Sequence, residues 1–252
     1  TLFRSAGIKG LDRDTLVIAT KGWFRRNPTA NAKGLSRKHL LEACDASLRR
    51  MGIDYVDLYQ IHGPDPATPV EETMRALDDL VRSGKVRYIG CSNLYGWQLV
   101  KANAVADRRG WERFVSGQYM YNLLRRDIER EVLPACDAEG MGVMCWSPLA
   151  SGMLTGKYRG KDAPEASSRI GIRAKIDLPR YWNAGSLRLV DEVAAVAAEE
   201  RKTASQVSLS WLLHDQRVAA VIVGARTAEQ LAENLVSGDW DLPDPQWARL
   251  EK

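Results

Sequence analysis

Short apolar runs, each followed by a helical stretch with one apolar face, restrict what this chain can fold into. Leu16-Val17-Ile18-Ala19-Thr20 lies between polar Asp12-Arg13-Asp14 and Lys21-Gly22, the mark of a buried strand. Ser36 then stands as a helix cap, Leu40, Leu41, Cys44, Leu48 and Met51 recur at helical spacing, and Gly52 falls where a left-handed residue closes a helix. A strand over Tyr55 to Ile61 follows. Thr68 as N-cap and Pro69 in the first turn open the next helix, whose face carries Val70, Met74, Leu77 and Val81 before Gly84 ends it. The alternation runs on through a strand at Val86 to Gly90, a helix at Gly96 to Asp107, a strand at Phe114 to Gln118, a helix at Asp127 to Glu139 and a strand at Val143 to Trp146. From Pro148 to about Asn183 the chain reads as irregular, and a loop that long is usually functional or mobile. Helices from about Ser186 to Arg201 and Ala204 to His214, the run Ala219 to Val223 and a short helix at Thr227 to Leu235 complete the pattern.

Repeated β-then-α units have two main solutions, an open doubly wound sheet or a closed (β/α)₈ barrel. No G-x-G-x-x-G follows the first strand, and polar residues gather at many strand ends instead of at one crevice. The expectation is an α/β fold of the (β/α)₈ TIM-barrel type, a single domain over residues 1–252. About six units are counted. At roughly 30 residues per unit, two units in front of Thr1 are missing from a full barrel, so the barrel is expected to be incomplete at its N-terminus. With 36 basic and 32 acidic residues and a net charge of +4, no basic run is long enough for a nucleic-acid groove. No apolar run reaches the roughly 20 residues of a membrane span. Cys44, Cys91, Cys136 and Cys145 form no C-x-x-C pair, which points away from a disulfide framework or a zinc site and toward a reducing cytoplasm.

Parallel α/β folds house their chemistry at the C-terminal ends of the strands. Lys21 ends the first strand and His62 the second, an amine and an imidazole delivered to one edge. Ser92-Asn93 and Trp146 end later strands, where Ser and Asn also serve ordinary turns and Trp is by default core. Arg226 precedes the helix at Thr227, and a guanidinium beside a helix N-terminus suits a phosphate dianion. Trp23 and Phe24 follow Lys21 and either line an apolar substrate pocket or cover the rim. Tyr55, Asp57 and Tyr59 lie inside a strand and read as wall or pairing residues, and His39 and His214 as structural.

Several ordered segments resemble the aldo-keto reductase family: Ile18-Ala19-Thr20-Lys21, Gly52 through His62, Gly90-Cys91-Ser92-Asn93, Trp146-Ser147-Pro148-Leu149, and Gly224-Ala225-Arg226 with Gln230, Glu233 and Asn234. The resemblance implies reduction of an aldehyde or ketone by hydride from NADPH, with Lys21 and His62 catalytic. It implies Ser92, Asn93 and Gln118 around the nicotinamide carboxamide, and Trp146 stacked on the nicotinamide. It further implies Ser147, Pro148, Leu149, Ser151 and Gly152 over the pyrophosphate, with Lys157 and Arg169 as cationic clamps. Gly224, Arg226, Gln230, Glu233 and Asn234 complete the implied cofactor set, and Arg226 favours NADPH over NADH. The family's proton-donor Tyr and its Asp partner come from a segment expected to be absent, so the chain as written is expected to be inactive. The implied partner is a small-molecule carbonyl compound, with no nucleic acid, no membrane insertion and no metal. Two rival readings stay open: an NADPH-binding regulatory subunit like the potassium-channel β-subunits, which share Trp146 through Ala150, and a Schiff-base lyase using Lys21.

Overall fold

A computed structural model describes residues 10–25 and 27–251. The chain gathers into two compact units, Thr1–Gln118 with Glu131–Gly142, and Tyr119–Arg130 with Val143–Lys252.

In the first unit four parallel strands stand in chain order: β1 (Ala19–Gly22), β2 (Val56–Ile61), β3 (Val86–Ser92) and β4, which begins at Phe114 and runs on to Met120. Helices α1 (Arg37–Met51), α2 (Val70–Arg82), α3 (Gly96–Arg109) and α4 (Val132–Ala138) alternate with them. The Ser36 side chain accepts from the His39 amide, and Gly52, at φ 67°, closes α1 by donating to the Leu48 carbonyl at 2.9 Å. Leu40, Cys44, Met74, Leu77, Leu80, Ile89, Leu99 and Leu133 are fully or almost fully buried between helices and strands. Each large side chain among them gains about 1.5–3 kcal/mol from leaving water. Tyr59 fixes the distance between β2 and α1. Its hydroxyl donates to the Leu40 carbonyl at 3.2 Å and lies 2.4 Å from where a Cβ on Gly22 would stand, so only glycine fits there.

Local patterns miss by small, explicable amounts. The strand expected over Leu16 to Thr20 begins at Ala19, because the Leu16 carbonyl accepts from the Arg13 guanidinium and the Ile18 amide donates to the Asp57 carboxylate. Val17 is 84% exposed. The cap of α2 is Pro69 and not Thr68, whose hydroxyl is committed to Asp65. The helix expected from Asp127 divides into a 3₁₀ turn, Asp127–Glu129, and α4, in which Pro134 falls in the first turn.

The second unit holds, from Val143 on, the strand β5 (Gly142–Trp146), its parallel partner β6 (Val218–Val221), and α5 (Arg169–Ile172), α6 (Ala174–Tyr181), α7 (Ala184–Glu199), α8 (Ala204–His214), α9 (Ala228–Leu235) and α10 (Asp244–Leu250). The stretch read as irregular is largely helical turns. A kinked 3₁₀ segment Ala150–Thr155 precedes α5 and α6, and Asp177, 1% exposed, pins them by accepting from Ser151 at 2.7 Å and Arg173 at 3.0 Å. Gly, Ser and Arg hide this order because the tie is made through space. Helix α10, with Pro245 in its first turn, goes unforeseen as well. Among the described residues no helix is long and apolar enough to cross a membrane.

Candidate active site

The loops leaving the strands carry most of the backbone strain. Six described residues other than glycine have positive φ. Trp23 follows β1, Asn93 follows β3, and Ser147, Ala150 and Ser151 follow β5; Arg201 is the exception. Each such conformation costs about 1–3 kcal/mol, and strain of this kind gathers at functional sites.

In the first unit Lys21 pairs in register with Gln60 and Gly22 with Ile61, which puts the lysine on the strand beside the one that delivers His62. The His62 amide donates to the Gly22 carbonyl at 3.0 Å. Burial pushes the His62 pKa down, and the Lys21 charge lowers it further, so the ring is neutral near pH 7. Phe24, 60% exposed, meets the imidazole edge-on at 4.5 Å, and Trp23 meets Phe24 at 5.0 Å.

A polar chain runs onward from the same histidine. Asn93, at φ 56°, donates from Nδ2 to the His62 carbonyl and to Ser92 Oγ, both at 3.0 Å. Ser92 Oγ donates to the Gln118 carbonyl at 2.8 Å, and Gln118 Nε2 reaches Gln60 Oε1 at 3.5 Å. Gln60 is fully buried, and its Nε2 has no hydrogen-bond partner among the described residues. Nothing in the local sequence gives it a role. A buried amide in an otherwise apolar strand is the signal that could have found it.

Other strand polar residues are engaged in structure. Asp57 pairs with Arg13 at 2.6 Å, and the Tyr55 ring lies between the Arg13 and Arg87 guanidinium groups, each 4.1 Å from its centroid. The Tyr59 hydroxyl is committed to Leu40, and Tyr55 stands one residue ahead of β2.

In the second unit Trp146 ends β5 half-buried, and the Ser147 carbonyl accepts from Asn122 Nδ2 at 2.9 Å. Ser147, Ala150, Ser151 and Gly152, with φ of 58°, 48°, 55° and 90°, wind the backbone into a tight turn containing Pro148 and Leu149. The Lys157 ammonium folds over this turn, 2.8 Å from where a Cβ on Gly152 would lie. Arg169 opens α5 and is exposed. After β6, Gly224 is open on its Cβ side, and the Arg226 amide donates to Gln230 Oε1 at 2.9 Å just ahead of α9, capped by Thr227. Gln230 is exposed, Glu233 half-buried and Asn234 buried. The turn with its overlying ammonium, and an exposed guanidinium at a helix start, are donor sets that fit phosphate groups.

The sequence profile of the aldo/keto reductase family matches residues 5–252. The chain belongs to the aldo/keto reductase family. It is 36% identical to an aldo-keto reductase of Fusarium vanettenii over 88% of this chain and 59% of that one. It is 39% identical to the L-glyceraldehyde 3-phosphate reductase of Escherichia coli, over 88% and 65% respectively. An Arabidopsis thaliana protein named for a voltage-gated potassium channel β-subunit is 38% identical over 91% of this chain and 70% of its own length. The chain spans about three fifths to two thirds of the length of the first curated relatives it matches. Membership in the aldo/keto reductases accounts for the parallel β/α order and for a (β/α)₈-type fold class.

Proposed function

We propose that the chain carries the machinery of an NADPH-dependent reductase of aldehydes or ketones, acting as one barrel-type domain in the cytoplasm. The observation that carries the reading is the pair at the ends of adjacent strands, Lys21 and His62, with the lysine charge felt by the imidazole. A bound NADPH supplies hydride to the carbonyl carbon. A neutral His62 donates a hydrogen bond to the carbonyl oxygen and orients it, and the Lys21 ammonium stabilises a nearby phenolate or alkoxide as the proton moves. Trp23 and Phe24 supply an apolar wall for the substrate. Ser92, Asn93 and Gln118 offer amide and hydroxyl groups to the nicotinamide carboxamide, and Trp146 offers its ring. Ser147, Pro148, Leu149, Ser151 and Gly152 with Lys157 and Arg169 hold the pyrophosphate, and Gly224, Arg226, Gln230, Glu233 and Asn234 the adenosine phosphate. No tyrosine of the chain is assigned as proton donor, so residues 1–252 alone are expected to bind cofactor and turn over carbonyls poorly or not at all.

The similarity to a protein named for a channel β-subunit supports a second reading, cofactor binding with turnover secondary. Titration with NADPH and NADH, followed by nicotinamide fluorescence, tests the shared core of both. Arg226→Ala is expected to weaken NADPH roughly tenfold, about 1.4 kcal/mol, and to leave NADH unchanged. An equal effect on both cofactors, or none on either, removes the phosphate assignment.

A further inference from the structure

Asp65 lies three residues beyond His62, in the loop that leaves β2, and its carboxylate ties that loop to the one that leaves β1. Oδ2 accepts from the Leu35 amide at 2.7 Å and from the Thr68 hydroxyl at 2.8 Å, and Oδ1 accepts from the Ala67 amide at 3.0 Å. Burial pushes this carboxyl up, yet the three hydrogen bonds and the nearby Lys33 charge hold it below the ordinary carboxylate value. The loop it captures is closed on itself just before Leu35, where the Gly34 amide donates to the Trp23 carbonyl at 2.8 Å. Gly34 has φ 83°, and a Cβ there would lie 2.5 Å from Asp65 Oδ2. The seat of the carboxylate therefore requires glycine twice over, for conformation and for space. A second tie between the loops runs from Trp23 Nε1 to the Pro64 carbonyl at 3.0 Å.

The two ties bracket the aromatic pair. Trp23 is fixed through its carbonyl and its indole nitrogen, and Phe24, next in sequence, is thereby held edge-on to His62 although most of its own surface is in water. An exposed phenylalanine on an untethered loop would pay rotamer and backbone entropy to stay there, and ordering of about 1–2 kcal/mol per residue must come from contacts elsewhere. The Asp65 carboxylate supplies such contacts through Leu35, Ala67 and Thr68.

We propose that Asp65 is a positioning residue which, by holding the Gly34-Leu35 backbone, fixes Trp23 and Phe24 against His62 and so sets the site's preference for carbonyl compounds with a flat apolar body. The link to substrate rests on the reductase reading; the link to the aromatic pair does not.

The test uses the whole chain labelled with 5-fluorotryptophan, with the Trp23 resonance assigned through Trp23→Phe. Asp65→Ala is expected to shift or broaden the Trp23 line. Asp65→Asn keeps an oxygen for Leu35 and Thr68 and is expected to leave the line close to its original position. Gly34→Ala, pressing on the carboxylate from the other side, should reproduce the alanine result. Ile89→Val in the core provides a control that lowers stability without moving the line. Benzaldehyde titration read on the same resonance should show binding weakened about tenfold in Asp65→Ala and little changed in Asp65→Asn. A Trp23 line that stays in place in both Asp65→Ala and Gly34→Ala overturns the proposal, as does benzaldehyde binding that is equal in wild type and Asp65→Ala. If the line moves as expected while the wild type binds no NADPH, the clamp stands and the reductase reading falls.

Discussion

At the scale of single residues, chemistry here depends on which charged and neutral forms the fold favours. The His62 ring is held neutral first by burial and second by the Lys21 charge. Its folded pKa lies below the ordinary 6.5, so the stability linked to it is present above that value and is lost as pH falls through the lowered one. Lys21→Met should raise the His62 pKa, but only part of the way back, since burial is the larger cause. The chain has three histidines, so the shift can be followed by proton NMR of the imidazoles. Full recovery to the ordinary value would make charge the dominant cause, and no movement would disconnect the pair. The two residues were legible in the sequence because each ends an apolar run. Asp65, Gln60 and Asp177 were not, because their importance lies in amides, carboxamides and hydroxyls that meet them from distant segments.

At the scale of elements, periodicity told helices from strands well, while boundaries followed hydrogen bonds that periodicity does not contain. Strand β1 starts late because Asp57, far along the chain, takes the Ile18 amide. Its end is set by packing. Gly22 faces the Tyr59 hydroxyl, and Tyr59 is fully buried with no room to withdraw. Gly22→Ala is expected to destabilise the chain by about 1–3 kcal/mol, seen as a lower urea midpoint. Adding Tyr59→Phe removes the clashing oxygen and should recover part of that loss beyond simple additivity. Two effects that merely sum would mean the clash is relieved in some other way. The stretch from Pro148 to Asn183 shows the opposite failure of local reading, order where composition suggested none, held by Asp177 among the turns and helices that precede α7.

Taken over the whole molecule, the four cysteines report on how tightly the chain is closed. All are buried and none is held in a disulfide, and burial first of all raises the thiols of Cys44 and Cys145 to about 12 and of Cys136 to about 11. A thiol is reactive as thiolate, so labelling by a disulfide reagent at pH 8 should be slow in the native protein and reach four equivalents in denaturant. Fast labelling of one cysteine without denaturant would reveal local opening of its element. The sequence by itself determined the alternation of strands and helices, their order, the buried faces and the strand-end residues that carry the family resemblance. These are properties of short windows, where side-chain spacing and capping act over a few residues. Only the tertiary structure decided what meets what: Lys21 beside His62, Asp65 on an amide 30 residues away, Gln118 reaching Gln60 across 58. Strand register and loop path set those contacts, and both come from packing between segments whose separation no local pattern encodes.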